Sequence, residues 1–161
     1  MPELAIRAAV EEDAPLILQL IKELAEYEKL SHEVVATEDS LRRSLFGERR
    51  FAEALIGEVG GESAGFALFF HNFSTFLGKP GIYLEDLYVR PQFRGSGLGR
   101  ALLVYLARVA RERGCGRLEW SVLNWNEPAI GFYGRIGAAP VSGWTAYRLT
   151  GDALEGLAAG G

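Results

Sequence analysis

A single cysteine, Cys115, in a chain of 161 residues excludes an intramolecular disulfide and fits a reducing compartment. Only two histidines are present, His32 and His71, and with one cysteine they cannot make the ligand set of a structural zinc site; no metal is expected. No apolar run approaches the roughly 20 residues of a membrane span. No signal-peptide pattern precedes the first strand-like segment. A cytoplasmic protein without membrane contacts is therefore the default expectation. The net charge of −4 lacks the basic excess of a nonspecific nucleic-acid binder, so no nucleic-acid partner is expected.

What is present suits one globular core. Nearly half of the residues are apolar, at 48%, and a chain of this length buries roughly two-thirds of its unfolded surface. One domain over 1–155 is expected, with a small, glycine-containing flexible tail over 156–161.

Periodicity predicts the elements. Leu4–Arg7 reads as a strand, and Asp13 with Pro15 as the capped start of a helix over 14–28. Leu16, Ile17, Leu20, Ile21 and Leu24 recur three and four apart, which gives that helix one apolar stripe. Thr37 is placed to cap a second helix that Gly47 stops. Two strands, 51–59 and 64–70, flank Gly60-Gly61 as an antiparallel hairpin. A loop over 72–81 and a strand over 82–89 follow. A third helix runs from Leu98 to about Arg113 with Gly114 as its stop, and then a strand over 118–122. This strand–helix–strand order implies a parallel crossover. Asn126-Glu127-Pro128 opens a short helix stopped near Gly137, and a last strand is expected within 140–150. The fold class is α/β, as a mixed α+β sheet.

Residues 83–99 carry the most information. A strand bearing Glu85 and Asp86 is followed by a basic turn and then by Arg94-Gly95-Ser96-Gly97-Leu98-Gly99 at a helix start. Glycines there let backbone N–H groups converge on an anion with no side chain in the way, and the helix dipole adds to the attraction. Arg90, Arg94 and Arg100 supply positive charge beside it. The spacing is not that of a dinucleotide fingerprint, and no Walker-type lysine with serine or threonine follows the glycines.

Arg94-Gly95-Ser96-Gly97-Leu98-Gly99 resembles the acyl-CoA signature of the GNAT superfamily of N-acetyltransferases, with Asn126 and Tyr133 one strand later. Residues 20–28, Tyr83-Leu84-Glu85-Asp86, Trp125-Asn126-Glu127-Pro128 and Phe132-Tyr133 make the chain similar to the diamine branch, the spermidine/spermine and thialysine acetyltransferases. The resemblance implies a mostly antiparallel sheet splayed at an acetyl-CoA site and flanked by helices. It implies that Arg94, Gly95, Ser96, Gly97, Leu98, Gly99 and Arg100 hold the pyrophosphate. Leu87, Tyr88 and Val89 would offer backbone groups to the pantetheine arm, with Asn126 bonding the cofactor or its own helix end. Tyr133 would be general acid and cofactor contact. Glu85 would draw a proton from the amine, through water, and Asp86 and Glu28 would hold a distant positive charge. A homodimer acting on a small-molecule amine by direct attack in a ternary complex is implied as well.

The chemistry suits these residue types. An aliphatic amine and a tyrosine both titrate near pH 10, so a carboxylate that takes the amine's proton and a phenol that protonates a leaving thiolate are apt partners. The acidic set Glu26, Glu28, Glu33, Glu85 and Asp86 favours a cationic acceptor such as a polyamine or thialysine-like amine. Acetylation of a protein, peptide or drug amine, or a non-catalytic acyl-CoA-binding role, are the alternatives. Cys115, between two glycines, reads as a small structural residue; His32 and His71 read as ordinary polar positions.

Overall fold

The structure is a computed structural model that describes residues 2–161. It divides into two compact units, 1–123 and 124–161.

The first unit is built on five strands: β1 (Leu4–Ala8), β2 (Glu53–Val59), β3 (Glu62–Ser74), β4 (Lys79–Val89) and β5 (Leu118–Trp120). They lie in the order β1-β2-β3-β4-β5, antiparallel throughout except for the parallel β4–β5 pair. Gly60 and Gly61, both at positive φ (59° and 84°), close the β2–β3 hairpin, the two-residue turn that twisted strands favour. The expected loop over 72–81 is mostly ladder instead. Asn72 pairs with Gly81 and Phe73 with Pro80, and the turn shrinks to the residues between Ser74 and Lys79. Gly, Pro and Asn look like loop residues in sequence, but paired across a two-strand ribbon they lengthen it.

Helices cover both faces. α1 (Ala14–Tyr27) and α2 (Glu38–Phe46) place Ile17, Leu20, Leu24, Leu41 and Leu45 in one core with Ala54, Ile56, Phe66 and Tyr88 of the sheet. α3 (Leu98–Glu112) buries Leu98, Leu102, Leu103 and Leu106. Leu98 lies so close over Gly57 that a Cβ there would come within 2.8 Å of its Cδ1. A larger residue at that strand position would force the buried Leu98 side chain, and the start of α3 with it, to shift. Thr37 and Ser40 exchange reciprocal capping bonds (3.1 and 2.9 Å) at the start of α2, as expected. Asp13 departs from expectation. Its carboxylate takes a bidentate bond from Arg7 (2.7 and 2.9 Å) and one from the Val10 N–H, so no side chain caps α1.

The second unit holds α4 (Glu127–Arg135) and α5 (Gly151–Ala158). No strand forms within 140–150, contrary to expectation: the segment has no ladder partner among the described residues. α5, by contrast, takes up the start of the expected tail. Among the described residues no helix is long and apolar enough to cross a membrane.

Candidate active site

β4 positions the site through one irregularity. Asp86 pairs with Leu68 and Leu84 with Phe69, which leaves Glu85 without an opposite residue in β3. Such a bulge breaks the side-to-side alternation and re-aims side chains. Leu68 packs on the α1–α2 core, so Asp86 opposite it points to that face, two residues from Tyr88. Glu28 caps the C-terminal end of α1 on the same face.

Glu28, Glu85 and Asp86, which the sequence could only nominate separately, are thereby brought together. Burial first, then the charges of Glu85 and Glu28, push the Asp86 carboxyl up to about 7. Burial and then Glu85 raise Glu28 as well. No ion pair among the described residues reaches any of the three. Like charges gathered in a half-buried corner are costly by themselves and become favourable around a bound cation.

The other end of β4 offers backbone. Its ladder with β5 stops at Leu84–Trp120, while β4 continues to Val89. The Arg90 N–H bonds Ala64 of β3 at 2.8 Å. By alternation Tyr88 also turns its backbone to β3, and Leu87 and Val89 turn theirs to the open side. Arg94 Nε already donates to the Val89 carbonyl there, at 3.2 Å. The Tyr88 side chain lies in the core and donates from its hydroxyl to Glu23 at 3.3 Å. Burial and the Glu23 charge raise its pKa and keep it a neutral phenol.

Beyond a short helical turn over Pro91–Phe93 the chain enters the glycine segment. Gly95 (φ 82°) and Gly97 (φ 90°) occupy the left-handed region, where a side chain would be strained, and a Cβ on Gly95 would meet nothing within 4 Å. Gly97 is the N-cap of α3 and has no side chain of its own to cap that end. Ser96 Oγ accepts the Leu98 N–H at 3.3 Å; those of Gly99 and Arg100 lie in the first turn, where a helix supplies no acceptor. An open nest of N–H groups at a helix N-terminus suits a pyrophosphate. Arg94 reaches from this segment to lie 4.9 Å over the ring of Tyr27.

Sequence reasoning missed Glu23. It holds Arg90 through two bonds of 3.0 Å each, and Arg90 NH1 also donates to the Ser63 carbonyl at 2.9 Å. Arg90 is thus engaged inside the fold rather than turned to the glycine segment. Its partner lies 67 residues away, and no local pattern signals such a pair.

In the second unit Asn126 caps α4, its Oδ1 accepting the Ala129 N–H at 3.4 Å, which is one of its two expected roles. Tyr133 lies in the last turn of α4, with its ring 5.7 Å from that of Phe132. Its carbonyl accepts the Ala138 N–H at 3.1 Å as Gly137, at φ 93°, reverses the chain.

A strand that opens away from its neighbour, followed by a glycine nest on a helix, is a fold-level arrangement that can be compared with known proteins. The acetyltransferase (GNAT) family profile matches residues 17–138. The chain belongs to the GNAT family. This GNAT enzyme is 39% identical to a thialysine N-epsilon-acetyltransferase of Sus scrofa, over 98% of this chain and 99% of that one. It is 34% identical to an L-ornithine N5-acetyltransferase of Arabidopsis thaliana, over 94% and 86%. A solved integron cassette protein from the mobile metagenome of V. cholerae superposes with a TM-score of 0.80 at 27% identity, over 96% and 97% of the two chains. The expected GNAT sheet with flanking helices is therefore present, and the chemistry is acetyl-CoA-dependent acetylation of an amine.

Proposed function

We propose that this GNAT enzyme acetylates a primary amine of a small cationic molecule, a polyamine or a thialysine-like amine. The convergence of Glu28, Glu85 and Asp86 on one face carries the reading. The thialysine and ornithine acetyltransferases among its relatives, whose names specify amines on small molecules, support it. Acetyl-CoA supplies the activated acetyl thioester, and the amine attacks it directly in a ternary complex. Gly95, Ser96, Gly97, Leu98, Gly99, Arg94 and Arg100 take the pyrophosphate, and the open backbone of Leu87 with the Val89 N–H, next to Tyr88, takes the pantetheine amides. The fit rests on the glycine nest, where Gly95 and Gly97 sit at positive φ without side chains and the N–H groups of Gly99 and Arg100 lie in the first turn of α3.

An ammonium that enters the corner is held by Glu28 and Asp86. A carboxyl pushed up to about 7 is well matched to receiving a proton at neutral pH, so Asp86 joins Glu85 as a proton acceptor for the amine. Tyr133 protonates the leaving thiolate, and Asn126 fixes the start of the helix that carries it. The enzyme acts as a homodimer in this reading, which rests on its likeness to the diamine branch; sedimentation at assay concentration checks it by mass.

Release of free CoA across a panel of amines is the test. Turnover of polyamines or lysine analogues is expected. Turnover of peptides alone, or acetyl-CoA binding without any turnover, overturns the reading. Tyr133→Phe should lower kcat about 100-fold with little change in acetyl-CoA affinity.

A further inference from the structure

Of the three arginines around the glycine segment, Arg90 is the one whose side chain is spent inside the fold. Its Nε and one terminal nitrogen grip both oxygens of Glu23, and the other terminal nitrogen holds the Ser63 carbonyl. Glu23 is saturated in turn, by Arg90 on both oxygens, by the Tyr88 hydroxyl and by Gln19 Nε2 at 3.1 Å. The main chain of Arg90 is equally committed: its N–H closes the β3–β4 ladder on Ala64, and its carbonyl accepts the Phe93 N–H at 2.9 Å to start the turn. Arg90 therefore stands where the open edge of β4 ends and the approach to the nest begins. Glu23 stands on the helix that ends at Glu28.

We propose that the Glu23–Arg90 pair is a positioning clamp for acetyl-CoA, fixing against α1 the end of β4 and the turn that leads into the glycine nest, and that Arg90 is not a phosphate contact. The inference rests on the assignment of that nest to the pyrophosphate. A bidentate fork fixes both the distance and the plane of its partners, which a flexible ammonium does not. A nest of N–H groups works only when its donors converge, so displacing the Pro91–Phe93 turn that leads into it weakens binding without touching the ligand.

Two roles for Arg90 make opposite predictions. As a phosphate contact, Arg90 would be freed by Glu23→Gln, and acetyl-CoA would bind as well or better. As half of a clamp, it would be loosened, and binding would fall. Calorimetric titration of acetyl-CoA into wild type, Glu23→Gln, Arg90→Gln, Arg90→Lys and the double Gln variant, over a range of salt concentrations, separates them, with thermal melts to establish that each is folded.

Weakening of about tenfold in each Gln variant is expected, with a double variant no worse than either single one, since both remove one interaction. Arg90→Lys should recover part of the loss, and it keeps the test open if Arg90→Gln does not fold. The salt dependence should match wild type, because no charge facing the ligand has been removed. Tighter binding by Glu23→Gln, or a flattened salt dependence in Arg90→Gln, would overturn the clamp. Unchanged affinity in folded variants overturns it too, leaving the pair a purely structural one. Failure of the wild type to bind acetyl-CoA instead removes the assignment of the nest itself.

Discussion

Glu23 and Glu28 leave the same helix and face the same strand, yet their surroundings are opposites. Burial alone would raise the Glu23 carboxyl, but bonds from Arg90, Gln19 and Tyr88, with the Arg90 charge, pull it below its ordinary value. Glu28 has burial and the charge of Glu85 acting on it and moves up. At one end of the α1–β4 contact, then, every carboxylate oxygen has its donor. At the other, three carboxyls meet with no cation paired to them among the described residues. A fold that satisfies one end so fully shows that the same elements can pair such groups, which makes the unpaired end a site for a ligand's charge rather than a packing defect.

The largest effect that would sharpen this contrast is on turnover. Asp86→Asn should cut kcat/KM about 100-fold and remove the rise in rate as pH climbs through about 7, measured as CoA release against pH. An unchanged pH profile would break the assignment.

Stability should move in opposite directions at the two ends. Removing one partner of the clamp, as in Arg90→Gln, should cost roughly 2 kcal/mol, below the value for a fully buried pair because both side chains are about a fifth exposed (21% and 22%). Glu23 stabilises the fold above its unfolded value of 4.5, and this contribution is lost as pH falls through its lowered folded value. The melting difference between wild type and Glu23→Gln should therefore close on acidification. Asp86 reverses the sign. Its folded carboxyl keeps the proton to about 7 against 3.8 unfolded, so its cost to stability is absent in acid and grows between those values. At pH 8 Asp86→Asn should melt higher by about 4–8 °C, for a gain of roughly 2 kcal/mol, and the gain should vanish below pH 4. Loss of activity with gain of stability is the signature of a charged group kept for function.

Smaller still, Glu28→Gln should raise KM for the amine about tenfold and leave that for acetyl-CoA nearly unchanged, since it removes one charge from the amine end alone.

How far this was legible in the sequence follows from the range of the interactions. Helix stripes, the Gly60-Gly61 turn, the Thr37 cap and the glycine segment are all local patterns, and each is found where periodicity or spacing puts it. Glu28, Glu85 and Asp86 could be named from the resemblance, but their convergence depends on where α1 ends against β4. The Glu23–Arg90 pair joins residues far apart in the chain, and Asp13 was diverted from its helix by Arg7, a partner that only the β1 geometry brings near. The stretch 140–150 carries β-prone residues such as Val141, Trp144 and Tyr147 without a strand's partner, a reminder that β pairing is decided outside the segment that shows it.

The unpaired residue Glu85 has a consequence for anyone who reshapes this enzyme. β4 is in effect two half-strands out of phase, one keeping step with Ile82 and Leu84, the other with Asp86 and Tyr88. Drawing Glu85 into the ladder, opposite a residue added to β3, would restore an unbroken two-residue rhythm and force a choice of phase. Either the acidic corner would turn away from α1, or the leucine and isoleucine beside β5 would turn out of their core. An insertion of one residue is here a grammatical mark, dividing a stretch of strand that serves catalysis from one that serves packing.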